Sequence, residues 1–125
     1  MTDADLAVQR TTVNDLEVAY LEAGTGPLAL CLHGFPDTAH GWTSTLDALA
    51  AAGFHAVAPF MRGYAPTAVP ADGGSPLGAW VADANAWHDV LGGDGDAVLI
   101  GHDWGALTTY GAAGLEPHRL SLIHI

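Results

Sequence analysis

Lysine is absent from the 125 residues, and only Arg10, Arg62 and Arg119 are basic. Against 14 Asp and Glu they leave a net charge of −11. Such a surface repels phosphate backbones, so nucleic acid is excluded as a partner on electrostatic grounds, and anionic bilayers are disfavoured for the same reason. The only cysteine, Cys31, excludes an intrachain disulfide, and its place in the apolar run 28–32 reads as core packing. No apolar run approaches the roughly 18 residues that a membrane span needs. Residues 1–5 have neither the basic nor the apolar region of a secretory signal, which points to a cytoplasmic protein. The seven histidines (33, 40, 55, 88, 102, 118 and 124) form no cluster with metal-ligand spacing, and no Gly-rich nucleotide loop is present. The expectation is therefore no metal and no cofactor.

What the chain does have is apolar residues. They make up 50% of it, while charged residues make up 14%, well under the usual quarter, so a packed core is available. Residues 6–12 and 16–22 alternate around Asn14-Asp15 and predict a hairpin, with Leu16, Val18 and Tyr20 sharing one face. Residues 28–32 are apolar without alternation, the pattern of a strand covered on both faces; 97–100 read as a second short buried strand and 55–59 as another short strand. Helical spacing appears at Trp42, Leu46, Leu49 and Ala50, with Gly53 as a stop. It recurs at Leu77, Trp80, Val81, Ala84, Trp87 and Leu91 after the Ser75-Pro76 start signal, and again over 104–113. Residues 61–74 read as a loop and 119–125 as a further strand. Strand and helix alternate after the hairpin, which predicts an α/β fold with a mostly parallel sheet flanked by helices. Ending on the apolar run 120–125 suggests a truncated domain.

Gly101-His102-Asp103-Trp104-Gly105 follows a buried strand and opens a helix, the setting of a nucleophile elbow. Flanking glycines relieve crowding at a sharp turn, and the helix N-terminus favours an ionised Asp103. A carboxylate there suits attack on an electrophilic carbon, giving an ester. The plainer alternative is that Asp103 caps the helix. His33-Gly34-Phe35-Pro36 ends an earlier strand and can supply a second backbone donor. The expected oxyanion hole is the N–H of Phe35 with that of Trp104. Gly34 would permit close approach and Pro36 would fix the turn. His33 would shape the loop through hydrogen bonds, and His102 would flank the nucleophile without acting as base.

These two motifs, with Met61-Arg62-Gly63-Tyr64 between them, resemble the epoxide hydrolase branch of the α/β-hydrolase superfamily. The likeness runs over about residues 16–125 and reads as the N-terminal portion of such a domain, before its cap. It implies Asp103 as the catalytic nucleophile, Phe35 and Trp104 as the oxyanion donors, and a small apolar epoxide as substrate, opened to a diol. The histidine base, its orienting acid and two cap tyrosines of the family match no position here, so the 125 residues alone are expected to be inactive. Phe60 stands where members often have Asp, and Ala65 where they have Gly. A haloalkane dehalogenase is the alternative, but it would more often carry Asn at the Phe35 position. Fluoroacetate dehalogenases usually carry Arg at the Trp104 position. A non-catalytic, hydrolase-like binding module is the alternative of another class.

Overall fold

The computed structural model describes residues 6–70, 77–115 and 121–124. Strands β1 (Gln9–Val13) and β2 (Leu16–Ala23) form an antiparallel hairpin. Asn14 and Asp15 both have positive φ, 49° and 61°, the left-handed backbone that lets a two-residue turn follow the twist of its strands. β1 begins at Gln9, three residues later than the alternation predicts. Tyr20 does lie with Leu16 and Val18, but Ala19 and Leu21 are fully buried on the other face. β2 is therefore covered on both faces, one packed with Trp42 and Leu46 and the other with Trp80 and Trp87, while β1 and β4 flank its edges.

The remaining elements are β3 (Leu28–Leu32), a 3-10 turn (Ala39–Trp42), α1 (Thr43–Ala51), β4 (His55–Pro59), α2 (Leu77–Val90), β5 (Val98–Gly101), α3 (Trp104–Leu115) and β6 (Ser121–His124). They form one six-stranded sheet in the order β1-β2-β4-β3-β5-β6. β3 pairs parallel with β4 and with β5, and β5 pairs parallel with β6. This is the predicted α/β architecture. Gly53, at φ 93°, follows α1 as the expected stop. α3 runs two residues past the predicted end, and β5 runs one residue later than read, ending on Gly101. Ser75-Pro76 and Arg119 lie outside the described residues.

Alternate residues of β3 face two cores. Leu28, Leu30 and Leu32 pack with Trp80, Val81, Ala84 and Trp87 of α2 and Ala112 of α3. Cys31 packs with Trp42, Leu46 and Phe60 on the opposite face. Burial pushes the Cys31 thiol up to about 12, so it stays a neutral packing group. Residues 61–70 have no regular structure, as expected, but they are tied down. The Thr67 hydroxyl donates to Phe60 O and accepts from Ala19 N–H. Arg62 forks onto Asp83 of α2 at 2.9 and 3.0 Å, and Asn14 Nδ2 donates to the same carboxylate at 3.0 Å. No helix among the described residues is long and apolar enough to cross a membrane.

Candidate active site

Leu32 at the end of β3 pairs with Gly101 at the end of β5, so both motifs leave the same edge of the sheet from adjacent strands. The chain turns from β5 into α3 through only His102 and Asp103. Asp103 has φ 58°, the left-handed region, which costs a non-glycine residue about 1–2 kcal/mol. A helix cap has extended backbone and turns its side chain onto its own second or third N–H group. Asp103 instead reaches across to the β3 loop, and its Oδ2 accepts the Phe35 N–H at 3.0 Å. The Trp104 N–H also acts on the carboxylate, lowering its pKa. These two donors, Phe35 first, hold the Asp103 carboxyl below its ordinary range. The weaker opposing effect is desolvation, and the charge of neighbouring His102 adds to the lowering.

Glycines make this approach possible. A Cβ on Gly34 would lie 2.3 Å from Asp103 Cβ. One on Gly101 would lie 2.2 Å from Gly105 O, and one on Gly105 would lie 2.0 Å from Leu32 O. The crowding that the flanking glycines relieve is thus between strand, helix and neighbouring loop, not only within the turn. The Phe35–Pro36 peptide is cis.

His33 is almost fully buried. Its Nε2 receives the Met61 N–H at 3.0 Å, so the ring proton is on Nδ1, which donates to Gly34 O at 3.0 Å. Tyr64 packs edge-on against this ring with centroids 4.6 Å apart. Burial lowers the His33 pKa, outweighing the Gly34 hydrogen bond and the Asp37 charge. The folded state thus binds its proton less readily than the unfolded chain. The His33 contribution to stability is complete above the unfolded value of about 6.5 and is lost as pH falls through the lower folded value. Melting temperature should therefore fall as pH is lowered below about 6.5. His33→Gln, which cannot titrate, should start lower and show a flatter profile. An equally steep profile in that variant would remove His33 as the cause.

Phe35 and Trp104 are large apolar residues that are 68% and 43% exposed. Trp104 leans on buried Trp80, centroids 5.7 Å apart. Trp42, Trp80 and Trp87 are core residues, as their spacing predicts. His102 is exposed and lines a cavity of about 180 Å³ together with His33, Asp37, Gly41, Trp42 and Thr45. Among the described residues no three His, Cys, Asp or Glu side chains converge to hold a metal. Sequence reasoning missed Asp37 on this cavity wall and the buried Arg62–Asp83 pair. Asp37 directly follows a flagged motif and was within reach. The pairing of Arg62 with Asp83, 21 residues away, left no local signal.

The chain belongs to the α/β-hydrolase fold family, whose model matches residues 27–124. It is similar to an epoxide hydrolase of Caballeronia sordidicola, with 40% identity over 112 residues, 88% of this chain and 33% of that one. Epoxide hydrolase A of Mycobacterium tuberculosis is 34% identical over 113 residues, 88% and 35% of the two chains. Among solved structures, an epoxide hydrolase from Vigna radiata superposes with a TM-score of 0.84 at 30% identity, covering 98% of this chain and 40% of that one. Epoxide hydrolase A from Mycobacterium thermoresistibile gives 0.82 at 33% identity, covering 95% and 38%. The chain spans about a third of the length of the curated relatives it matches.

Proposed function

We propose that the chain carries the nucleophile and oxyanion hole of an epoxide hydrolase, with residues 1–125 forming part of a larger catalytic domain. Asp103 is the nucleophile of its elbow, and the Phe35 and Trp104 N–H groups are the donors. The observation that carries this is the 3.0 Å bond from Phe35 N–H to Oδ2 of a left-handed Asp103 at the end of a central parallel strand. The exposed Phe35 and Trp104 rings suit a small apolar epoxide.

In this reading Oδ1 attacks an epoxide carbon, and the ring C–O bond breaks. Its electron pair goes to the departing oxygen, which then takes a proton. The product is an ester of Asp103. Water adds to the ester carbonyl carbon, placing negative charge on Oδ2, the oxygen that the Phe35 N–H reaches and that the Trp104 N–H would also stabilise in this reading. Collapse of that centre releases the diol and regenerates the carboxylate. The resemblance assigns protonation to two tyrosines and water activation to a histidine, and these match no position in this sequence. The 125-residue chain alone is therefore expected to release no diol from styrene oxide above the buffer rate. A rate that Asp103→Asn abolishes would overturn this and would make a local histidine the base.

The nucleophile assignment is tested in a chimera in which this chain replaces the matching third of the Caballeronia sordidicola epoxide hydrolase. A single turnover in ¹⁸O-water is expected to leave the label in the Asp103 carboxylate, with an unlabelled first diol. Label in the diol and none in Asp103 would mean direct attack by water, and the nucleophile assignment would fail.

A further inference from the structure

Met61-Arg62-Gly63-Tyr64 takes no part in the chemistry above, yet both oxyanion donors lead back to it. The Met61 N–H bonds His33, and His33 bonds Gly34 O beside Phe35. Arg62 O accepts the Trp80 indole N–H at 2.9 Å, and the Trp80 ring supports that of Trp104. We propose that Arg62 is a positioning residue for the Asp103 site, holding one loop from which separate arms set the Phe35 and Trp104 N–H groups. The assignment rests on the oxyanion-hole reading, but its test does not depend on turnover.

The Arg62 side chain is suited to this because it is fixed. Its guanidinium meets both oxygens of Asp83, with only 14% and 12% of the two side chains exposed. A two-point fork onto a carboxylate sets the orientation of a planar group, which a single ammonium cannot do. Asp83 lies on α2, three residues from Trp80, and Asn14 of the hairpin turn also donates to its Oδ1, the oxygen that Arg62 Nη2 meets. Loop, helix and hairpin thus meet at one ion pair. Tyr64, at the end of the loop, packs on His33. Its phenol pKa is raised, first by burial and then by the charge of Asp103, so it lies within the field of the carboxylate.

The experiment uses the 125-residue chain labelled with ¹⁵N and ¹³C. Amide exchange at Phe35 and Trp104 and titration of the Asp103 carboxyl carbon are read by NMR, with melting followed alongside. Arg62→Lys is expected to speed exchange at both amides roughly tenfold and to move the Asp103 midpoint up toward the ordinary carboxyl range. Trp80→Phe keeps a ring but cuts the bond to Arg62 O. It should speed exchange at Trp104 and leave Phe35 unchanged. Leu46→Val, on the opposite face of the sheet, should leave both amides at the parent rate. If Arg62→Lys fails to fold, Arg62→Met with Asp83→Leu removes the pair without leaving a lone buried charge, and fast exchange at both amides is expected in that variant too. Parent-like exchange and midpoint in a folded Arg62 variant would overturn the proposal. So would equal effects from Leu46→Val, or Trp80→Phe speeding both amides or neither. If Asp103 proves not to be a nucleophile, the isotope experiment fails while these readouts stand, so the two failures are distinguishable.

Discussion

Asp103→Asn in the chimera is expected to lower kcat for styrene oxide by roughly ten-thousand-fold or more, the scale seen when a covalent nucleophile is removed. The substitution is nearly isosteric, and an amide oxygen can still accept the Phe35 N–H that now reaches Oδ2. The fold should therefore survive, with the melting temperature close to that of the parent. What is lost is the anionic oxygen, because a neutral amide is a poor donor of electrons to an epoxide carbon. The turn itself tolerates the change, since Asn accepts a left-handed backbone about as readily as Asp. The measurement is diol formation with melting curves of both proteins. A variant retaining a tenth of parent activity would show that Asp103 assists the reaction without forming the ester.

Gly105→Ala is expected to destabilise the chain by about 3 kcal/mol or more, a large share of the roughly 5–15 kcal/mol that holds a typical domain folded. Helix propensity predicts the opposite sign, because Ala is favoured over Gly in a helix by about 1 kcal/mol. Packing decides it. The added Cβ would sit 2.0 Å from Leu32 O, 2.6 Å from Leu32 C and 2.8 Å from His33 O. All three are backbone atoms of β3 and its loop and cannot rotate away. α3 would have to lift from the sheet, carrying Trp104 and Asp103 away from Phe35. Gly114→Ala in the same helix meets no atom within 4 Å and should stabilise by about 0.5–1 kcal/mol. Urea unfolding of both variants provides the check. If Gly105→Ala unfolds no earlier than the parent, the close seating of α3 on β3 is wrong.

Much of this architecture was legible because its signals are local. The continuous apolar run 28–32 and Val98, Leu99 and Ile100 read as doubly covered strands, and they are. Asn14-Asp15 marked the hairpin, and the tryptophans at 42, 80 and 87 marked the helical core faces. Where the reading slipped, the missing fact was a neighbour. Alternation in 16–22 suggested one buried face of β2, but Trp42 and Leu46 pack on the other face and cover Ala19 and Leu21 as well. Asp83 carries no signal of its own in the sequence, and Arg62 makes it a buried partner.

The candidate site divides the same way. Residue identity and order along the chain determined that an aspartate stands between a strand and a helix with glycines on either side, and that a His-Gly-Phe-Pro turn follows an earlier strand. Only the tertiary structure decided that β3 and β5 are adjacent, with Leu32 opposite Gly101, so that a donor 68 positions away meets the carboxylate. The reason is physical. Backbone N–H groups carry no side-chain signature, and their convergence depends on strand pairing across the chain, whereas turn strain, glycine tolerance and apolar period are properties of neighbouring residues.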